Sequence, residues 1–170
     1  MQTIGIIVAG GKSRRMGRDK AAILFDGKPL LEHALSALEG LKPEQAFILG
    51  RPSHLLGLAD PFPGEGPAAN LKAWINKQSL PFQLLVLPVD MPLLDGRHLS
   101  TLINNPRGAY FDDLYLPFFA TISSPVTASV TRMKDLLQAL DLEAIPVPKG
   151  WKQVLTNINT PSDLKQLIDG

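Results

Sequence analysis

The chain has no cysteine, only three histidines, and aromatic residues at 6% of its 170 positions. Without cysteine there are no disulfides, no zinc-thiolate centre and no thiol nucleophile. His33, His54 and His98 fall in separate segments, so a histidine metal site is not expected. No apolar run approaches the roughly 20 residues needed to span a bilayer, and the opening segment lacks a basic stretch followed by a small-residue cleavage site. The expectation is a cytoplasmic protein with no membrane association. A formal net charge of +1 argues against nucleic acid as the main partner, since phosphate-backbone binders carry a broad basic face. A length of 170 residues suits one domain, 1–170, with a substantial core.

What is present concentrates between Val8 and Leu24. TIGIIVA reads as a buried parallel strand, and Gly10 and Gly11 end it where backbone must bend or approach a ligand closely. Lys12, Arg14, Arg15, Arg18 and Lys20 then crowd into nine residues, opposed only by Asp19. Even spreading would place about one basic residue there. A charged loop is commonly a solvated turn, but strand, glycine pair and converging cations together suit polyphosphate. Neither G-x-G-x-x-G nor G-x-x-x-x-G-K-[ST] is present, which leaves a third type of phosphate-binding loop.

Further along, strands and helices alternate. KPLLEHALSALEG has Leu31, Ala34, Leu35 and Leu38 at helical spacing with Gly40 as its C-terminal stop; QAFILG is a second strand. Four prolines and three glycines between Pro52 and Pro67 predict an ordered, turn-rich loop leading to a helix from about Ala68 to Lys77. FQLLVLPV is another buried strand, followed by a helix in DGRHLSTLINN. This order predicts a single-domain α/β three-layer sandwich around a mostly parallel sheet. Asp90, at the end of FQLLVLPV, lies on the edge where such sheets bind ligands. It can serve there as a metal ligand or merely satisfy a turn before Pro92. In LTNINTPSDLKQL, Thr160 is a helix cap with Asp163 completing an approximate capping box. Asn157 and Asn159 alternate about Ile158 and present two amides to one side.

Three strings, A-G-G-x-S-x-R-M-G-x-D-K, LPVDMPLL and N-x-N-T-P-x-D-L, resemble in order the motifs of the molybdenum cofactor guanylyltransferases, MobA-like members of a wider nucleotidyltransferase group. The resemblance implies a Rossmann-like nucleotidyltransferase fold and transfer of GMP from GTP to the terminal phosphate of molybdopterin, with pyrophosphate released. It implies that Val8, Ala9, Gly10, Gly11, Ser13, Arg14, Arg15, Lys20, Asp60 and Asp90 bind nucleotide. Asp90, Lys20 and Arg15 would be catalytic, and Asp90 would hold Mg²⁺. Asn157 and Asn159 would lie near the metal or the acceptor. It also leaves room for transient contact with proteins that deliver the cofactor or receive it. Ala9-Gly10-Gly11 resembles the guanylyl branch, where cytidylyl relatives have A-A-G. Asn70 stands where the family carries glycine, and the stretch from Leu116 to Val130 is about one helix shorter than in the family. A nucleotidyltransferase using CTP on molybdopterin or a nucleoside triphosphate on a sugar or polyol phosphate predicts the same loop and metal; the shortened acceptor side also permits a protein that keeps the nucleotide fold without turnover, against which intact Lys20 and Asp90 argue.

Overall fold

A computed structural model describes residues 1–9 and 19–169. Its strands are β1 (Thr3–Val8), β2 (Leu24–Phe25), β3 (Lys28–Pro29), β4 (Gln45–Leu49), β5 (Gly57–Leu58), β6 (Phe82–Pro88), β7 (Gly108–Phe111), β8 (Phe118–Ile122) and β9 (Glu143–Ile145). Its helices are α1 (Leu30–Glu39), α2 (Pro67–Ile75), α3 (Gly96–Ile103), α4 (Met133–Ala139) and α5 (Pro161–Asp169), with a short 3-10 turn at Lys20–Ala22. Seven strands form one sheet in the order β5-β4-β1-β6-β8-β7-β9, and β2 and β3 make a separate small hairpin.

The sheet is mostly parallel, as the alternation of elements predicts. β5, β4, β1 and β6 run together, with Val8 opposite both Leu49 and Pro88. β8 alone is reversed, pairing antiparallel with β6 and β7, and β9 again runs parallel to β7. The chain leaves β1 for one neighbour, β4, and later returns to its other neighbour, β6. The cleft expected at such a change of direction therefore lies outside the carboxyl ends of β1 and β6.

Both faces of the sheet are covered because alternate strand residues are apolar on both sides. Ile7, Ile48, Leu85 and Leu87 pack beneath α1, α3 and α5 through Leu30, Leu38, Leu99, Leu102 and Leu167. Ile4, Ile6, Leu84 and Val86 pack beneath α2 and α4 through Leu71, Trp74, Ile75, Leu136 and Leu137. Each such side chain removed from water contributes roughly 1.5–3 kcal/mol before chain entropy is set against it. Gly5 allows α1 to lie close on β1, since a Cβ there would overlap the buried Leu38 side chain.

Gly40 is the C-cap that ends α1, as expected, at φ −58°, and the left-handed residue that follows is Lys42 at φ 49°. The α3 cap is a reciprocal box in which Asp95 accepts from the Arg97 and His98 amides while the Asp95 amide donates to His98 Nδ1 at 3.0 Å. His98 is thus spent on capping, and its burial lowers its pKa and keeps the ring neutral.

Candidate active site

The carboxyl-terminal edge of β1 and β6 opens into a cleft of about 440 Å³ lined by Val8, Ala9, Asp19, Lys20, Pro67, Pro88, Val89, Asp90, Asn157 and, on its far side, Asp113 to Leu116 with Met133. Backbone bonds fix its floor. Val89 N–H donates to Val8 at 3.2 Å, and Ala9 N–H donates to Leu49 at 3.1 Å.

Asp90 stands two residues beyond β6, with its side chain 15% exposed. Its Oδ2 accepts from Lys20 Nζ at 3.0 Å, and the same ammonium donates to Asn159 Oδ1 at 3.1 Å. Two of its three protons are therefore engaged by these groups, leaving a third for a phosphate oxygen. Asp90 Oδ1 is buried and has no hydrogen-bond partner among the described residues. A buried, unpaired carboxylate oxygen is costly unless a cation or donor completes it.

The motif near the C-terminus reaches the site through backbone geometry. Ile158 N–H donates to the Asp90 carbonyl at 2.9 Å, clipping this segment to the end of β6. Asp163 Oδ2 accepts the Asn159 and Thr160 amides at 2.9 and 3.0 Å, while Thr160 Oγ1 accepts the Asp163 amide at 3.1 Å. The capping box of α5 thereby orients Asn159 toward Lys20. The Asn159 amide, foremost among several donors, holds the Asp163 carboxyl below the usual carboxylate range.

Of the residues expected from sequence, Val8, Ala9, Lys20, Asp90 and Asn157 line the cleft, and Asn159 joins them through Lys20. Asp60 follows β5 on the same edge but is not among the lining residues; its partial burial raises its pKa. Gly10, Gly11, Lys12, Ser13, Arg14, Arg15 and Arg18 lie outside the described residues.

Two residues not singled out as site residues brace the edge. Arg51, just after β4, donates to the Ala9 carbonyl at 3.3 Å and pairs with Asp19, whose carboxylate also caps the 3-10 turn carrying Lys20. Asn70 is only 1% exposed and holds the proline-rich loop by three bonds: it accepts from Phe62 N–H at 2.7 Å and donates to the Phe62 and Gly66 carbonyls at 3.1 and 2.8 Å. This loop leads from Asp60 to Pro67. Asn70 is therefore a tie from α2 back to the loop, a role sequence spacing did not signal.

A divalent cation fits the donor set. A single carboxylate with an unpartnered oxygen is suited to a hard cation that completes its shell with water and phosphate. No cluster of three or more His, Cys, Asp or Glu residues capable of holding a metal occurs among the described residues.

A switch-point cleft that holds a lysine paired with a carboxylate at the ends of β1 and β6 suits a nucleotidyltransferase. The profile of the MobA-like NTP transferase domain matches residues 5–157, and the chain belongs to that family. It is 30% identical to the molybdenum cofactor guanylyltransferase of Xanthomonas euvesicatoria, covering 96% of this chain and 93% of the relative. It is 32% identical to the probable molybdenum cofactor guanylyltransferase of Mycobacterium avium, covering 98% and 95%. The crystal structure of molybdopterin-guanine dinucleotide biosynthesis protein A from Archaeoglobus fulgidus shares the fold, with a TM-score of 0.72 at 22% identity over 98% of this chain and 97% of that one. No described helix is long and apolar enough to cross a membrane.

Proposed function

We propose that this enzyme transfers GMP from GTP to the terminal phosphate of molybdopterin, giving the guanine dinucleotide cofactor and pyrophosphate. The observation that carries the chemistry is the unpartnered Asp90 Oδ1 beside the Lys20 ammonium in the cleft. The names of the two relatives support the choice of substrates. A cytoplasmic setting goes with this reading, because GTP is held there at working concentration.

The work of the protein is positioning and charge neutralisation. Arg14 and Arg15 are assigned, with Lys20, to the triphosphate, and the backbone around Val8, Ala9 and Gly10 to the base with Asp60 nearby; Gly11 and Ser13 are assigned to the same nucleotide. Asp90 would hold Mg²⁺, with Asn157 lining the same space. When bound, Mg²⁺ supplies positive charge to the phosphate oxygens and so favours departure of pyrophosphate. The Lys20 ammonium, steadied by Asp90 and Asn159, offers its remaining N–H to a phosphate oxygen. An oxygen of the acceptor phosphate forms the new bond to the α-phosphorus as the α–β bridging bond breaks, and pyrophosphate takes that electron pair. No covalent enzyme intermediate is required.

The test is turnover of molybdopterin with each of four nucleoside triphosphates in the presence of Mg²⁺. GTP should be used at least about tenfold better than CTP or ATP, since each mismatched polar contact costs roughly 1–3 kcal/mol. Preference for CTP, or no preference, rejects the guanylyl assignment.

A further inference from the structure

We propose that the turn between β7 and β8 is the acceptor-ring subsite, in which the Asp113 carboxylate pairs with the amino-oxo edge of the pterin and Tyr115 lies against its face. This rests on the reading above that the acceptor is molybdopterin.

Strand direction supplies the placement. Because β8 runs against β6 and β7, the carboxyl end of β7 reaches the same edge as that of β6. Residues 112–117 therefore emerge beside the cleft, on the side of Asp90 away from Val8 and Ala9. Two strand spacings separate β6 from β7, roughly 10 Å. In-line transfer sets donor and acceptor on opposite sides of the α-phosphorus. With the donor over β1 and the phosphates at Asp90, the acceptor's ring system has the β7 side left to it.

The chemistry there matches a flat ring with a donor edge. Of the cleft carboxylates, Asp19 is paired with Arg51 and Asp90 with Lys20, whereas Asp113 takes part in no ion pair among the described residues. Asp113 is held at φ 63°, and the turn is fixed by Asp112 N–H to Ile145 at 2.8 Å and Leu114 N–H to Phe111 at 2.9 Å. A carboxylate on a turn so fixed presents two acceptors, the complement of a pterin's ring N–H and 2-amino group. It would repel a phosphate, which suits a place at the ring end of the acceptor. Leu114, Leu116 and Met133 supply apolar wall, and Tyr115 is 37% exposed with its ring 6.2 Å from Tyr110.

The test uses Asp113→Gly, which the backbone accepts at positive φ, together with Asp113→Asn and Tyr115→Leu. Steady-state turnover of molybdopterin with GTP is measured, with pterin and lumazine as competitors; lumazine carries an oxo group in place of the 2-amino group. Wild type should be inhibited by pterin at least about tenfold more strongly than by lumazine, the scale of a lost hydrogen bond to a charged acceptor. Both Asp113 variants should raise the KM for molybdopterin about tenfold or more and erase that preference. Tyr115→Leu should raise the same KM while keeping the preference. The KM for GTP and the Mg²⁺ requirement should stay within about twofold of wild type, well below the decade that marks a lost contact. An unchanged molybdopterin KM and preference in Asp113→Gly overturns the subsite alone. A shifted Mg²⁺ requirement also overturns it, by making Asp113 a metal ligand. Wild type that fails to consume molybdopterin overturns the proposed function and this inference with it.

Discussion

Replacing Asp90 by asparagine separates a working carboxylate from a structural one. The Lys20–Asp90 pair is partly buried, with side chains 21% and 15% exposed at 3.0 Å. Its gross attraction is roughly 5 kcal/mol at an effective dielectric of 20. Most of this is offset by desolvation, and the unpartnered Oδ1 adds a further cost of about 1–3 kcal/mol. In Asp90→Asn the side-chain amide keeps an oxygen for Lys20, and Asn159 still accepts from the same ammonium. The ligand-free protein should therefore lie within about 1 kcal/mol of wild type, a Tm change of no more than roughly 2–4 °C. Turnover should fall at least about 100-fold, equivalent to about 2.7 kcal/mol of transition-state stabilisation. Pyrophosphate release is followed across a Mg²⁺ titration, and thermal unfolding is measured without ligand. Near wild-type turnover refutes the metal assignment, and a Tm loss beyond about 10 °C shows that Asp90 chiefly holds the fold together.

Asn70→Ala leaves the Phe62 amide and two carbonyls without their buried partner, so stability should drop by about 2–4 kcal/mol and Tm by roughly 5–15 °C; a shift under about 2 °C in a thermal melt would show that the loop does not depend on this tie. Acidification should act through His98. Its folded pKa is lowered, chiefly by burial, so the unfolded chain binds the proton more readily; stability is full above the unfolded value of about 6.5 and declines as pH falls toward the folded one. Urea unfolding at pH 7.5 and 5.5 should show this loss in wild type and a smaller one in His98→Gln, whose amide oxygen can still accept from Asp95. Equal losses in the two proteins would remove His98 as the cause.

β1, α1, β4, β6 and α3 were legible because each carries its own periodicity and punctuation. The Thr160 and Asp163 capping box was legible for the same reason. Asp90 and Lys20 could be named from motifs that sit within a few residues of their strands. The reversed β8 was not legible, since FFATI reads the same in either direction and its orientation is set by pairing with β6, more than thirty residues earlier. The acceptor-side turn inherits that obscurity. Arg51 and Asn70 were missed for a related reason: Arg51 reaches Ala9, 42 residues away, and Asn70 acts on backbone eight residues back. Side-chain to backbone ties of this kind leave no repeating pattern. Gly40 was legible as the end of α1, which it caps at φ −58° without a left-handed turn.

The clip from Ile158 to the Asp90 carbonyl has a consequence for the order in which the protein becomes active. β1, Lys20 and β6 are all made within the first 88 residues, yet Asn159 and the Asp163 cap that aims it are synthesised last of the site's parts. During translation, at roughly 5–20 residues per second, the strands can pair while Lys20 still lacks half of its anchorage. A chain ending before Asn157 would lack Ile158 and Leu167 from the core as well as the Asn159 anchor, so the last part of the fold and the last part of the site arrive together.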